Sequence, residues 1–94
     1  MKFDWDEKKN AINIRKHGIH FDDAALVFDD PLQVMVFDRY VDGEARWQTI
    51  GKVNALILLL VVHTYEDEDG EEFARIISAR EVIPEERRVY EEGL

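Results

Sequence analysis

The chain has 94 residues, of which 46% are hydrophobic, and a formal net charge of −9 at pH 7. This length fits one domain, 1–94, with a modest core, and the hydrophobic content excludes an intrinsically disordered chain. Cysteine is absent, which excludes disulfides and thiolate metal sites. The longest apolar run, 55–62, is too short to cross a bilayer. The start, MKFDWDEKKN, lacks the apolar segment of a signal peptide, so we expect a cytoplasmic protein.

The negative charge is concentrated in two segments. Residues 21–45 sum to −6 and residues 66–72 to another −6, so the remaining residues carry +3. An acidic total disfavours tight binding of nucleic acid and suits association with a basic protein. The basic remainder still permits local contact with phosphate groups, because salt screens charges beyond about 8 Å.

Two helices are predicted near the N-terminus. The first spans 6–17: acidic residues begin it, the basic triplet Arg15-Lys16-His17 ends it, and Gly18 supplies a left-handed stop. The second spans 22–29, where apolar residues recur with helical spacing before Pro31.

Four strands are predicted next, over 33–40, 45–51, 55–65 and 73–80. Asp42-Gly43 indicates a hairpin turn, 66–72 a solvated turn, and Pro84 the first turn of a last helix over 84–92. The order ααββββα predicts an α+β fold, with helices on a four-stranded antiparallel sheet. We expect its core to contain Ile57, Leu59, Val61 and either Ile76 or Ile77.

The chain contains no nucleotide-binding loop, metalloprotease motif or serine-hydrolase motif, and its histidines lack metal-site spacing. We therefore expect no metal and no cofactor. Basic residues instead stand at the ends of predicted elements. Strand alternation places Arg80 on the face of Ile76 and Ser78, at the sheet rim. Ion pairing is the structural alternative for each arginine, because acids outnumber bases.

A set of basic residues at the ends of the predicted elements is compatible with RNA cleavage that needs no metal. A base takes the 2′-hydroxyl proton, cations stabilise the charged transition state, and an acid protonates the leaving 5′-oxygen. Histidine suits the proton transfers and arginine suits the phosphate. Packing is the alternative for several other residues: Trp5, Phe21 and Ser78 as core or small packing residues, and His63 as a rim histidine.

A collinear series of motifs covers nearly the whole chain and resembles the BrnT family of toxins, also described as the DUF497 group. The series is FDWDEKKNAINIRKHGIHFDDAALVFDDP (3–31), DGEARWQTIG (42–51), LLLVVHT (58–64), RIISAR (75–80) and ERRVY (86–90). The resemblance implies a RelE-like fold and a ribonuclease toxin that blocks translation. It also implies a BrnA-like ribbon-helix-helix antitoxin, higher-order assembly with it, and operator binding through the antitoxin alone.

The positions that match these motifs become candidate site residues. We expect His17 to act as base or acid, with Arg80, Arg46 and Arg87 binding phosphate as part of the catalytic set. The candidates for substrate binding are Lys16, Arg75, His63 and Tyr90. The substrate is expected to be mRNA.

Two other functions remain open at this stage. The chain fits a non-catalytic acidic interaction module, including a degenerate toxin that only binds its antitoxin. A small-ligand domain is a weaker alternative, since it needs a sizeable apolar pocket that a chain of this length seldom provides.

Overall fold

The computed structural model describes residues 1–93. Its elements follow in the order β1 Lys2–Trp5, α1 Glu7–His17, α2 Phe21–Ala24, a 3₁₀ helix Ala25–Asp29, β2 Val34–Val41, β3 Glu44–Val53, β4 Ile57–His63, β5 Glu66–Glu68, β6 Glu71–Glu81 and α3 Pro84–Glu92. Within this range, no helix combines the length and apolar character needed to span a membrane.

The strands form one mixed sheet in the order β1-β6-β4-β3-β2, with β5 pairing β6 separately. The α+β class is confirmed, but the predicted four-stranded antiparallel sheet is wrong. The sheet has six strands, and β1 runs parallel to β6. The helices lie on both sides of the sheet, with α2 on one side and α3 on the other.

Both extra strands have a physical reason. In β1, Phe3 and Trp5 are half-buried while their neighbours are exposed, an alternation too short to stand out before α1. In β5, all three residues are exposed acids, so no apolar pattern marks the strand. A turn at Asp69-Gly70, where both residues have positive φ, folds β5 onto β6 as a hairpin.

A bulge in β6 determines which side chains share a face. Arg80 pairs with Leu60 of β4, whereas Ile76 pairs with His63, three residues further along β4. Since successive side chains alternate, Arg80 and Ile76 lie on opposite faces. The prediction that they share a face is therefore wrong, because strict alternation over 73–80 ignores the extra residue.

The main core lies between the sheet and α2 with its 3₁₀ extension, on what we call the α2 face. It contains Phe21, Ala24, Val27, Val53, Leu59, Val61, Ile76 and Ala79. Of the predicted core residues, Leu59, Val61 and Ile76 are buried and Ile57 packs against them as a partly buried side chain. Trp5 meets buried Phe21 edge to face, which confirms packing for both aromatics.

The opposite side, which we call the α3 face, carries a cross-strand row of Val34, Ile50, Leu60 and Arg80. The three apolar members are buried, at 7%, 3% and 2% exposure. Arg80 binds Glu86 of α3, which places that helix on this face. The sheet is thus covered from both sides, with Arg80 at one end of the row.

Candidate active site

Helix α1 is joined to the edge of β6 through one buried side chain. β1 pairs β6 only as far as Ile76, which leaves the next residues of that edge without a strand partner. The amide of Asn13 supplies one: its Nδ2 donates to the Ala79 carbonyl at 2.8 Å, and its Oδ1 accepts from the Ala79 N–H at 3.0 Å. Nδ2 also donates to the Ile19 carbonyl at 2.9 Å. This contact fixes the groove between α1 and β6.

The groove brings predicted site residues together. A pocket of about 250 Å³ is lined by Lys9, Ile12, Asn13, Lys16, His17, Ile77 and Ser78. A second pocket of about 330 Å³ shares Lys9 and Ile77 with it and adds Arg75, Trp5, Ile76 and the acids Asp4 and Asp6. Lys16 and His17 reach the groove because α1 ends there, stopped by Gly18 at φ 72° after the basic last turn. Both are exposed and therefore accessible to a substrate.

Arg80 lies two residues beyond Ser78 on the α3 face. Its Nη1 and Nη2 donate to the two carboxylate oxygens of Glu86, and Nη1 also donates to the Glu81 carbonyl. The hydrogen bond with Glu86 raises the pKa of Arg80 and lowers that of Glu86. Because these contacts use three of the five guanidinium N–H groups, the cation is held in place and keeps donors for an anion.

Arg46 lies on the same face, but two strands away from Arg80. Its side chain is 18% exposed, and its Nε lies 3.4 Å from a Glu44 oxygen. That Nε is buried and makes no hydrogen bond within residues 1–93. Arg39 stands directly opposite it on β2, so two cations face each other across the strands. A buried donor that has an ion-pair contact but no hydrogen bond, beside a like charge, is suited to an anion.

The remaining basic candidates lie apart from one another. Arg87 is exposed on α3, directly after Glu86. Arg75 is exposed at the far end of the groove and contacts Asp4, with Nε 3.4 Å from Oδ1. The structure therefore places Lys16, His17 and Arg75 in the groove. Arg80 is two residues beyond Ser78 on β6 and is not among the lining residues, and Arg46 and Arg87 occupy separate positions.

Tyr90 holds α3 to the loop before β2. Its hydroxyl donates to Asp30 Oδ2 at 2.6 Å, which raises the pKa of Tyr90 to about 12. Asp30 also accepts from the backbone N–H groups of Lys52 and Leu32. Burial raises the pKa of this carboxyl, but the hydrogen bonds outweigh burial and lower it. The Tyr90 hydroxyl is thus committed to a structural contact outside the groove.

His63 is fully buried, not at the rim where the sequence interpretation placed it. Its Nε2 lies 2.7 Å from Thr49 Oγ1, its Nδ1 lies 2.7 Å from the Thr64 carbonyl, and Phe28 packs edge to face on the ring. Burial lowers its pKa, which favours the neutral ring. A side chain with no exposed surface does not meet a substrate, so this position argues against the predicted binding role of His63.

Sequence reasoning missed two residues that organise the site, Asn13 and Glu86. A signal for Asn13 was available: asparagine is a poor residue for the middle of a helix, so its presence there indicates a tertiary hydrogen bond. No comparable signal existed for Glu86, because it is one of 21 acids in the chain. Its pairing with Arg80 depends on the turn between β6 and α3.

Comparisons with known proteins agree with this fold. A crystal structure at 1.1 Å resolution of the Brucella abortus ribonuclease toxin BrnT is 34% identical, with a TM-score of 0.62, over 88% of this chain and 97% of that one. The model of the family described as "Ribonuclease toxin, BrnT, of type II toxin-antitoxin system" matches residues 5–86. No curated protein matches the chain. The chain therefore belongs to the BrnT family of ribonuclease toxins of type II toxin–antitoxin systems.

Proposed function

We propose that this chain is a metal-independent RNA endonuclease that cuts mRNA in the cytoplasm, blocks translation, and is neutralised by a BrnA-like ribbon-helix-helix antitoxin. The observation that supports it most is the groove, where His17 and Lys16 share a pocket with Ser78, two residues before Arg80. The imidazole of His17 and the ammonium groups of Lys9 and Lys16 belong to side chains that line one accessible depression. We also propose that the fold is RelE-like, as the family resemblance of the sequence implies.

The chemistry assigns a role to each of these groups. The imidazole of His17 takes the proton from a 2′-hydroxyl, whose oxygen attacks the adjacent phosphorus, or donates one to the departing 5′-oxygen. The products are a 2′,3′-cyclic phosphate and a 5′-hydroxyl. Lys16 and Arg80 stabilise the extra negative charge on the phosphoryl oxygens, the kind of electrostatic help that is often the largest catalytic term. The flanking phosphates are bound by three further arginines, Arg46, Arg75 and Arg87.

Two exposed histidines three residues apart allow a matched test. His17 lines the groove, whereas His20 is not among its lining residues. RNA cleavage by the purified chain in EDTA should continue, and His17→Gln should lower its rate by about 10²–10⁴-fold, whereas His20→Gln should not. Fragment ends identify the cyclic phosphate.

Each failure has a separate meaning. Cleavage that requires added Mg²⁺ would contradict metal independence. A chain that cleaves no RNA under either condition, yet binds an antitoxin, would be a degenerate toxin. Equal losses in the two histidine variants would remove His17 from the proposed mechanism.

A further inference from the structure

A second row of side chains crosses the sheet on the α3 face. Ser78, Val62, Gln48 and Val36 pair directly across β6, β4, β3 and β2. Each stands two residues from a member of the first row, which keeps all four on that face. The apolar residues of the first row are buried, whereas these four are only half-buried. We call the second row the shelf.

The shelf begins at the groove. Ser78 is its first member, and the same residue lines the pocket of Lys16 and His17. Arg80, two residues further along β6, lies beside Ser78 on the same face. Helix α3, which contacts Arg80 and β3, borders the shelf along the first row. A strand of RNA held in the groove can therefore continue over the shelf, along α3, without leaving the protein surface.

Gln48 is the polar side chain in the middle of the shelf, with Val62 on one side of it and Val36 on the other. Its amide offers both a donor and an acceptor, and the hydrogen bonds within residues 1–93 leave that amide unused. A nucleobase has the matching combination, a flat face that packs on apolar side chains and an edge that carries donors and acceptors. The shelf is thus suited to a single unpaired base.

Arg46 adds a cation at the far side of the shelf. It stands two residues before Gln48 on β3, so both side chains lie on the α3 face. Its Nε is buried and makes no hydrogen bond within residues 1–93, although Glu44 Oε1 lies 3.4 Å away. Ordinary strand spacing and rise put the positions of Arg46 and Ser78 about 12 Å apart. A short stretch of RNA is therefore enough to reach from the groove to this guanidinium.

The two arginines beside the shelf already contact a carboxylate, Glu86 at Arg80 and Glu44 at Arg46. A phosphate bound there has to share each cation with that acid. Such contacts add little affinity in water. We therefore expect the shelf to orient one nucleotide and to discriminate between bases, while the groove holds the phosphate that reacts.

We propose that the shelf is the base-recognition subsite for the RNA substrate and that Gln48 determines its specificity. A nucleotide next to the cleaved bond lies with its base on Val62 and Val36, and the Gln48 amide exchanges two hydrogen bonds with the edge of that base. Arg46 binds the phosphate of the same nucleotide. No bond is made or broken at the shelf. This inference rests on the proposed function for the cleavage itself.

The chain has two glutamines, which allow a matched test. Gln33 donates to the backbone carbonyls of Phe28 and Asp30, so its amide has a structural role. A pool of short RNAs of randomised sequence is cleaved briefly, and the fragment ends are sequenced. Wild type should favour one base at a position next to the cut. Gln48→Leu should lower that preference by about 10-fold, the usual effect of losing a bidentate amide contact, whereas Gln33→Leu should keep it.

The base preference is a ratio of products from one preparation, so it does not depend on how much of a variant is folded. Leucine has nearly the size of glutamine and suits the two neighbouring valines. We therefore expect Gln48→Leu to keep the melting temperature of wild type.

Arg46 is tested with RNAs in which a neutral methylphosphonate replaces one phosphate at a time. Wild type should lose cleavage rate several-fold when the phosphate of the recognised nucleotide is neutral. Arg46→Met should be slower on the charged RNA and lose nothing further at that position, because both changes remove the same contact. Arg75→Met, at the far end of the groove, should retain the wild-type loss there.

Several results would overturn the shelf proposal. These are cleavage by wild type with no base preference next to the cut, an unchanged preference in Gln48→Leu, or equal changes in the two glutamine variants. An unchanged preference together with weaker binding of the protein encoded by the adjacent reading frame would assign the shelf to that protein. In each of these cases the ribonuclease proposal stands. If wild type cleaves no RNA, the proposed function fails and the shelf proposal fails with it.

Discussion

The guanidinium of Arg80 and the carboxylate of Glu86 meet side on, with Nη1 to Oε1 at 2.8 Å and Nη2 to Oε2 at 2.9 Å. Glu86 Oε1 also accepts from the Ile83 N–H at the start of α3. The same acid therefore orients the proposed phosphate-binding cation and caps the helix that follows β6. Variants of the two residues can therefore separate the effect of losing the ion pair from the effect of losing the cation.

Arg80→Ala and Glu86→Gln both remove the ion pair, but only the first removes the cation. A partly exposed pair is worth about 1 kcal/mol or less, so both variants should melt slightly below wild type. Loss of the cation should lower RNA cleavage by about 10²–10³-fold in Arg80→Ala, whereas Glu86→Gln should keep most of it. Thermal midpoint and cleavage rate are measured on the same preparations. Wild-type cleavage by Arg80→Ala would show that Arg80 is only an ion-pair partner.

Asn13→Ala should be far more destabilising than Asn10→Ala in the same helix. Asn13 makes three hydrogen bonds and is buried, whereas Asn10 accepts one, from the Phe21 N–H at 2.9 Å. Each buried group left without a partner costs about 1–3 kcal/mol, so we expect a loss of about 3–5 kcal/mol for Asn13 and about 1 kcal/mol for Asn10. Urea unfolding provides the measurement. Equal losses would mean that Asn13 does not act as a strand partner.

The pH dependence of stability should report on His63. Burial lowers its pKa in the folded state below the ordinary value of about 6.5, so the unfolded state binds a proton first as the pH falls. The stability that His63 contributes is full above about pH 6.5 and is lost as the pH falls through the folded pKa. The free energy of unfolding should thus decline as the pH falls below about 6.5.

Two variants test this dependence. His63→Gln should flatten the decline, whereas His20→Gln, at an exposed position, should retain it. A decline of equal slope in the His63 variant would assign it to other groups.

Tyr90→Phe tests whether the hydroxyl holds α3 or takes part in catalysis. It should lower the free energy of unfolding by about 1 kcal/mol and speed amide exchange in α3, without changing the cleavage rate. Tyr65→Phe is a matched control, because Tyr65 also donates to an acid, Glu72 at 2.7 Å, and also has its pKa raised to about 12. That contact lies outside α3. A large loss of cleavage confined to Tyr90→Phe would instead give the hydroxyl a catalytic role.

The sequence predicted best the helix ends and turns that residues close in the chain determine. Helix α1 follows its charges and Gly18, the hairpin at Asp42-Gly43 follows its turn residues, and α3 begins at Pro84. Placement across the sheet could not be predicted in the same way. The β6 bulge moves Arg80 to the α3 face, and β5 owes its pairing to a turn and not to apolar residues. Burial of His63 depends on Phe28 packing over it from a distant helix.

The Asn13–Ala79 contact also determines when the groove comes into existence during synthesis. Its two residues are 66 positions apart, and the first belongs to the earliest helix while the second belongs to the last strand. A growing chain that has not yet produced β6 has only one wall of the groove, however well α1 has formed. The proposed cutting activity is therefore withheld from a nascent chain until β6 has been synthesised.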